Sequence, residues 1–309
     1  MNIKNKKHVL LLKGGYGSER EVSLKSAHAC VKVLRKSNFK VTEFDISTMN
    51  IADLINFQAD VCFNALHGDV GEDGSIQGFL NLIKLPYTHS GVAASAIAMN
   101  KINFKRIITN ATENTSDPIH FPETLHLTKD GKLQNTEYFG PYVIKPIKGG
   151  SSVGVTIIKG PQNHPALTLD NEELMAEVFV GSKELTVTVL NNKALCVTEI
   201  KTQKNESFYN YKSKYEKNGS LHFIPAKIPQ NIYEQSMSWA LKAHNIIGCK
   251  GISRSDFRYD PKKRQLYLLE INTQPGMTDT SLSPEQALHC NISFQEMIEI
   301  LINEAGYEC

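Results

Sequence analysis

The sequence predicts an α/β protein in which a parallel sheet is followed by two α+β domains. The first hundred residues alternate between strand and helix patterns, which is typical of a parallel sheet with helices on both faces. From about residue 140, strand-turn-strand segments dominate and indicate antiparallel hairpins. The 309 residues, of which 41% are hydrophobic, suffice for two or three domains with their own cores.

In the first half, short apolar runs predict the strands and helical spacing predicts the helices. A helix over residues 19–36 would place Val22, Ala29 and Val33 on one side. The predicted strands are "HVLLL", "KVTEFDI" and "ADVCFNAL", and the other predicted helices are "GSIQGFLNLIKL" and "GVAASAIAMNKINFKRIIT".

Three hairpins are predicted in the second half, over residues 142–158, 184–200 and 251–272. The polar segment of residues 203–220 between the last two has no clear period, and so long a loop in a compact domain is usually a functional lid or disordered. The domains that we expect are 1–95 (α/β), 96–184 (central) and 185–309 (C-terminal, with the lid).

Composition excludes several classes of partner. The chain has 34 Lys and Arg against 32 Asp and Glu, a net charge of +2, which offers no broad field for nucleic acid or an anionic membrane. The N-terminal apolar run, residues 8–12, is too short for a signal peptide, and no uncharged run could span a bilayer. Six widely spaced cysteines indicate reduced thiols rather than a metal site. We therefore expect a soluble, cytoplasmic protein.

The last hairpin places two carboxylates opposite each other. Counting outward from the turn near residues 262–263, Asp256 faces Glu270 and Arg254 faces Asn272. Facing like charges repel by about 4 kcal/mol at about 4 Å and an effective dielectric constant of about 20. Either an ion-pair network with Arg254 or a divalent cation could offset this, and Mg²⁺ prefers such oxygen ligands. The core face is expected to hold Phe257, Tyr259, Tyr267, Leu269 and Ile271.

Three further segments allow both a structural and a functional interpretation. The glycine- and serine-rich centre of "YVIKPIKGGSSVGVTII" is either a plain hairpin turn or a ligand loop. Ser18 and Glu21 have capping-box spacing, yet Glu19 and Glu21 make that helix start acidic and suited to an ammonium group. His67 follows the third strand, where open α/β sheets place ligands, while Glu72 is expected to serve the turn. Dinucleotide, P-loop and nucleophile-elbow motifs are absent from the sequence.

Eight ordered blocks resemble the D-alanine–D-alanine ligases of the ATP-grasp superfamily and cover roughly residues 9 to 300. The resemblance implies a three-domain ATP-grasp fold and ATP-dependent joining of two D-alanines through an acyl phosphate, for peptidoglycan precursors. It also implies a homodimer. The blocks are "GGYGSEREVSL", "ALHGDVGEDGSIQG", "PYTHSGVAASAIAMNK", "VIKPIKGGSSVGV", "GSKELTV", "YKSKY", "GISRSDF" and "LLEINTQPGMTDTSLSP".

The resemblance also implies the ligands of the site. The glycine loop would fold over ATP, and two ions of Mg²⁺ or Mn²⁺ would bind Asp256, Glu270 and Asn272. The residues implied to bind ATP are Lys101, Lys145, Ser152, Glu177, Glu184 and Lys214. Those implied to bind the two D-alanines are Glu19, His67, Ser151, Ser281 and Leu282. Those implied to act in catalysis are Glu19, Ser151, Arg254, Gly276 and Tyr215.

Three residues depart from the family pattern, and two other functions stay open. Asn100 stands where the family usually has Asp, Gly149 where an acidic residue is common, and Lys13 adds a cation before the first glycine loop. A ligase for other substrates is opposed by the blocks "SEREVSL" and "TSLSP". A nucleotide-binding module without catalysis is opposed by the intact set of Arg254 and the proposed metal ligands.

Overall fold

Three sheets organise the part of the chain that the computed structural model describes, namely residues 6–128, 132–134, 138–160, 173–202, 220–278 and 280–308. The first sheet is parallel, and the other two are antiparallel. This order confirms the predicted fold class. Within the described residues, no helix is long and apolar enough to cross a membrane.

The parallel sheet has the strand order β2-β1-β3 and is covered on both faces. The four central residues of β1 are fully buried, because alternate side chains enter the cores on opposite sides of the sheet. The elements are β1 (His8–Lys13), β2 (Lys40–Asp45) and β3 (Val61–Asn64), the helices α1 (Arg20–Lys36) and α2 (Ser75–Leu82), and a short 3-10 helix (Ile51–Leu54).

Helix α1 turns a different face to the core than the sequence indicated. Val22 is buried as expected, but Ala29 and Val33 are only half-buried. The residues of the buried stripe are Val22, Ser23, Ser26, Ala27, Cys30, Val31 and Leu34. The serines in this stripe, Ser23 and Ser26, lowered its apparent hydrophobicity.

The predicted helix over residues 91–109 is in fact two helices, α3 (Val92–Met99) and α4 (Lys101–Thr112). Asn100 between them has an extended backbone, and its side chain accepts a hydrogen bond of 3.0 Å from the Asn103 N–H. Asn100 is therefore the N-cap of α4. Since Asp caps helices about as well as Asn, the departure from the family pattern at this position keeps the cap.

The central antiparallel sheet contains the predicted hairpin of residues 142–158 and has the order β4-β7-β5-β6. Its small core is built from five buried side chains, of which Tyr142 is the largest. The strands are β4 (Thr124–Leu125), β5 (Tyr142–Pro146), β6 (Thr156–Ile158) and β7 (Leu174–Val178).

The C-terminal sheet contains the other two predicted hairpins and has the order β10-β9-β8-β11-β12. One face packs on helix α5, whose Trp239 is fully buried. The elements are β8 (Lys183–Leu190), β9 (Lys193–Thr202), β10 (Ser220–Phe223), α5 (Gln230–Ile246), β11 (Ile252–Asp260), β12 (Gln265–Asn272), α6 (Leu282–His289) and α7 (Phe294–Asn303).

A β-bulge in the last hairpin changes which side chains reach the core. Asp256 pairs with Glu270 as predicted, but Phe257 pairs with Leu268, so Leu269 is an extra residue on β12. The predicted core positions of Tyr267 and Leu269 are therefore wrong, and Leu266 and Leu268 are buried instead.

The predicted division at residues 95 and 184 stays a prediction, and nearly all of the predicted lid, 203–219, lies outside the described residues.

The cap on α4 predicts a measurable stability difference. Asn100→Ala should lower the free energy of unfolding by about 1 kcal/mol, because the first turn of α4 loses its side-chain acceptor. Asn100→Asp should retain the wild-type value, since the carboxylate also favours the helix N-terminus. Chemical denaturation measures both, with the exposed Asn110→Ala as the matched control. Equal losses in Asn100→Ala and Asn100→Asp would contradict the assignment.

Candidate active site

Two cavities meet where the three sheets approach one another. The larger, about 640 Å³, lies between α1, the loop after β5 and the β11–β12 hairpin. The smaller, about 130 Å³, is a slot between the two antiparallel sheets. Both are lined by Lys101, Gly149, Gly150, Glu184, Asp256 and Glu270.

Every described residue that the sequence predicted for the site lines one of these cavities. The slot is lined by Lys145, Ser152 and Glu177 in addition to the shared residues. Lys214 and Tyr215 lie outside the described residues. The remaining predicted residues, which line the larger cavity, are Glu19, His67, Ser151, Arg254, Asn272, Gly276, Ser281 and Leu282.

The facing carboxylates occur in the predicted register, with Asp256 opposite Glu270 and Arg254 opposite Asn272. Arg254 donates to both carboxylate oxygens of Asp256, at 2.9 Å from Nε and 2.8 Å from Nη2. Thr186 Oγ1 donates to the same carboxylate at 2.7 Å. The Lys101 ammonium lies 3.7 Å from Glu270. Positive charge on both sides therefore offsets the repulsion between the two carboxylates.

The chemistry of this donor set fits a divalent cation. Asp256 and Glu270 offer carboxylate oxygens, and Asn272 Oδ1 is oriented by a 2.8 Å hydrogen bond from the Gln274 N–H. Hard oxygen ligands of this kind suit Mg²⁺ or Mn²⁺. Among the described residues, no cluster of three His, Cys, Asp or Glu side chains is placed to bind a metal ion. The ligands of a cation at this site would therefore be the carboxylates of Asp256 and Glu270 and the amide oxygen of Asn272.

An ion-pair cluster around the buried Glu177 lies on the wall of the slot. Glu177 Oε2 lies 2.6 Å from Lys145 Nζ, and Glu177 Oε1 lies 3.2 Å from Lys105 Nζ. Burial favours the protonated carboxyl, but the two ammonium groups outweigh it and lower the pKa of Glu177. Sequence reasoning missed Lys105, although it stands one helical turn after Lys101 on α4, a spacing that puts the two on one face.

The loop after β5 bends back toward the N-terminal sheet. Ser151 and Ser152 have positive φ values of 52° and 60°, and Gly149 has a φ of 110°. Lys101 Nζ donates to the Gly149 carbonyl at 2.7 Å. Ser151 Oγ donates to the carboxylate of Glu19, across the larger cavity. The plain-turn interpretation of this loop is therefore insufficient, because the loop connects the two halves of the cleft.

The predicted capping box at the start of α1 is wrong. Glu19 is the N-cap residue, and no side chain caps the helix. The Glu19 carboxylate instead accepts from Ser151 and lies against Gly68, where an added Cβ would come within 2.5 Å of it. Glu19 thus places a negative charge inside the cavity.

His67 and Glu72 form a pair on the cavity wall. His67 Nδ1 lies 3.3 Å from Glu72 Oε1, and Glu72 also accepts the Gly68 N–H at 3.1 Å. Glu72 therefore serves the turn as expected, but it also holds His67 and lines the cavity. Neither its contact with His67 nor its place on the cavity wall was predicted from the sequence.

At the opposite wall, Ser281 and Leu282 stand at the start of α6, where helix N–H groups attract anions. Ser281 Oγ accepts the Thr278 N–H at 3.0 Å. A Cβ on Gly276 would come within 3.0 Å of Ser281 Oγ, so glycine lets this turn lie close to the helix.

Arg258, which sequence reasoning also missed, lines the slot. Its guanidinium lies 3.1 Å from Glu184 Oε2 and 4.8 Å from the centre of the Phe179 ring. Leu269, the bulge residue, lines the same slot with apolar side chains of β5 and β6. The slot therefore combines an apolar interior with acidic and basic side chains at its junction with the larger cavity.

Comparison with known proteins agrees with this geometry. The profile described as D-ala D-ala ligase C-terminus matches residues 122–303, and the D-ala D-ala ligase N-terminus profile matches residues 47–90. The chain belongs to the D-alanine–D-alanine ligase family. It is 44% identical to the D-alanine–D-alanine ligase of Sinorhizobium fredii and 42% identical to that of Methylorubrum populi, over 97% of this chain and 98% of each relative.

Solved structures of the same family share the fold. A D-alanine–D-alanine ligase from Bacillus anthracis is 26% identical, with a TM-score of 0.80 over 96% of this chain and 97% of that one. The enzyme from Coxiella burnetii is 22% identical, with a TM-score of 0.76 over 97% and 93% of the two chains. The resemblance expected from the eight sequence blocks is confirmed.

The ion-pair cluster at the slot predicts a large stability effect. Glu177→Gln should lower the free energy of unfolding by about 3 kcal/mol, because Lys145 and Lys105 would keep buried positive charges without their carboxylate. Chemical denaturation measures the loss. Glu173→Gln, which neutralises an exposed glutamate just before β7, is the matched control and should change stability little. A loss in Glu177→Gln no greater than in the control would refute this account of the cluster.

Proposed function

We propose that this chain joins two D-alanines to D-alanyl-D-alanine at the expense of ATP, for the synthesis of peptidoglycan precursors. The observation that carries the proposal is the position of Asp256, Glu270 and Asn272. Their oxygens lie where a slot of apolar and charged side chains meets a cavity with Glu19 at one wall and the start of α6 at another. A nucleotide in the slot would bring its terminal phosphate to the substrates at this junction.

The reaction that we propose has two displacements. A carboxylate oxygen of the first D-alanine attacks the γ-phosphorus of ATP, so an O–P bond forms, the bond to the β-phosphate oxygen breaks, and ADP leaves. The amine of the second D-alanine then attacks the acyl carbon. A C–N bond forms, the C–O bond to phosphate breaks, phosphate leaves and the nitrogen loses a proton. Both steps bring anionic or polar groups together, so positioning and charge carry most of the catalysis.

The residues that would bind ATP contribute charge on two sides of the slot. Lys101, Lys145 and Ser152 would contact phosphates. Glu177 and Glu184 would bind the adenine and ribose end, with Arg258 orienting Glu184. Lys214 would contribute to the phosphate site and Tyr215 to the closing of the cavity, as the family resemblance implies.

The residues that would bind the two D-alanines lie on opposite walls of the larger cavity. Glu19 would hold the ammonium group of the first D-alanine, next to Ser151 and His67. Ser281 and the Leu282 N–H would hold the carboxylate of the second. Arg254 and the Gly276 N–H would stabilise the oxygen of the tetrahedral intermediate, where one such donor is typically worth about 10²–10³ in rate.

Asp256, Glu270 and Asn272 would hold two Mg²⁺ or Mn²⁺ ions. When bound, these ions would neutralise the phosphates and the carboxylate pair together. Arg254 now holds the Asp256 carboxylate, so a cation there would take over part of the neutralisation that Arg254 provides. We further propose that the enzyme is a homodimer that works in the cytoplasm, with the N-terminal domain at the interface.

The purified chain should release phosphate only when ATP, a divalent cation and D-alanine are all present. Mass spectrometry should identify D-alanyl-D-alanine as the product. L-alanine, D-serine and D-lactate are the matched substrate controls and should react more slowly, because the Glu19 and Ser281 walls fix the orientation of both ends of the substrates. The absence of turnover in a folded sample, or equal turnover with L-alanine, would overturn the proposal.

A further inference from the structure

Ser26 on helix α1 connects two parts of the site, although it has no assigned role. Its side chain is fully buried. Ser26 Oγ lies 3.3 Å from the Met277 backbone nitrogen, next to Gly276, and 3.0 Å from His67 Nε2. A single hydroxyl thus contacts both the proposed oxyanion turn and the wall of the proposed D-alanine site.

Hydrogen-bond chemistry gives this contact a direction. The Met277 N–H can only donate, so Ser26 Oγ accepts from it. The single hydroxyl hydrogen of Ser26 can then be donated to His67 Nε2, which places the ring proton on Nδ1. Nδ1 faces Glu72 Oε1 at 3.3 Å. The bonds therefore run in one direction, from the turn through Ser26 and His67 to the Glu72 carboxylate.

The turn that Ser26 holds depends on bonds from outside its own backbone. Gly276 has no side chain to fix its peptide groups. The Gln274 and Thr278 N–H groups are bound by nearby side chains, Asn272 at 2.8 Å and Ser281 at 3.0 Å. The Met277 N–H belongs to the peptide group that follows Gly276, and its acceptor lies 251 residues away in the sequence. Ser26 therefore sets the orientation of Gly276 relative to the N-terminal sheet.

We propose that Ser26 is a positioning residue for the ligation step, which holds the Gly276 amide in line with the reacting carbonyl through Met277 and His67. This inference rests on the proposed function and adds a residue to it. Ser26 touches neither substrate nor nucleotide in this scheme. Its loss should therefore affect the tetrahedral stage, when the carbonyl oxygen becomes an oxyanion, more than the binding of ATP or D-alanine.

A matched pair of variants separates positioning from simple loss of a buried hydrogen bond. Ser23 lies one helical turn before Ser26, is equally buried, accepts the Gly14 N–H at 2.8 Å and donates to the Ala65 carbonyl at 2.7 Å. Ser23→Ala and Ser26→Ala thus remove the same kinds of bond from one helix. Of these two serines, Ser26 is the one bonded to the turn at Gly276.

The test measures kcat, the KM values for ATP and D-alanine, and the affinity of two ligands. One ligand is the planar dipeptide D-alanyl-D-alanine, and the other is its tetrahedral phosphinate analogue. Ser26→Ala should lower kcat about tenfold and lower the affinity for the phosphinate about tenfold, because a misaligned donor loses part of the rate factor of about 10²–10³ that one donor contributes. The KM values and the affinity for the dipeptide should stay unchanged. Ser23→Ala should leave the ratio of the two affinities at the wild-type value.

Two further variants keep the result decisive. Ser26→Thr retains the hydroxyl and should restore the ratio of affinities. Ser26→Cys retains the size but makes weaker bonds, and it should give an intermediate ratio even if Ser26→Ala fails to fold. An active wild type whose Ser26→Ala and Ser23→Ala variants show the same ratio would overturn this inference alone. A wild type that makes no dipeptide would overturn the proposed function and this inference with it.

Discussion

Two carboxylates that face each other across an antiparallel hairpin constrain the rest of the site. Asp256 and Glu270 are cross-strand neighbours, and their repulsion must be offset for the hairpin to form. Arg254 and Lys101 provide that charge from the strand itself and from α4. Because Lys101 also binds the carbonyl of Gly149, the compensation extends to the loop after β5. Lys101 therefore connects the charge balance of the β11–β12 hairpin to the loop that follows β5 in the central sheet.

The same principle applies to the whole cleft. Arg254, Lys101 and Lys145 each contact a carboxylate, those of Asp256, Glu270 and Glu177. In the proposed complex, phosphates would take the lysines and divalent cations would take the carboxylates of Asp256 and Glu270, while Glu177 would keep its ion pair with Lys105. The charges are therefore balanced both before and after such an exchange, which limits the cost of keeping them in a largely buried cleft.

The sequence predicted the parts of the fold and site that depend on local spacing. Counting outward from the turn paired Asp256 with Glu270 correctly, although the extra residue Leu269 lies between this pair and the turn. The same count is one residue off between Asp256 and the turn, where Phe257 pairs with Leu268, because no local pattern indicated the bulge at Leu269. Asn100 departs from the family pattern in the sequence, but its function as a helix cap could be recognised only from the backbone conformation on both sides of it.

Contacts between distant segments could not be predicted. Lys105 and Glu177 are 72 residues apart, and Ser26 and Met277 are 251 apart. Ser26 was also hidden by its chemistry, because a buried serine on a helix looks like an interruption of the apolar stripe rather than a contact with a distant segment. The capping box was predicted from spacing alone and is wrong, because Glu19 rather than Ser18 is the N-cap residue of α1.

The most direct test of the central claim is equilibrium dialysis of the chain against Mn²⁺ with a nonhydrolysable ATP analogue. The claim is that Asp256 and Glu270 face each other in order to hold cations that accompany the nucleotide. The wild type and the Glu173→Gln control should each retain two Mn²⁺ per chain, and the double variant Asp256→Asn, Glu270→Gln should lose at least one while remaining folded. Retention of both ions by the double variant would contradict the account.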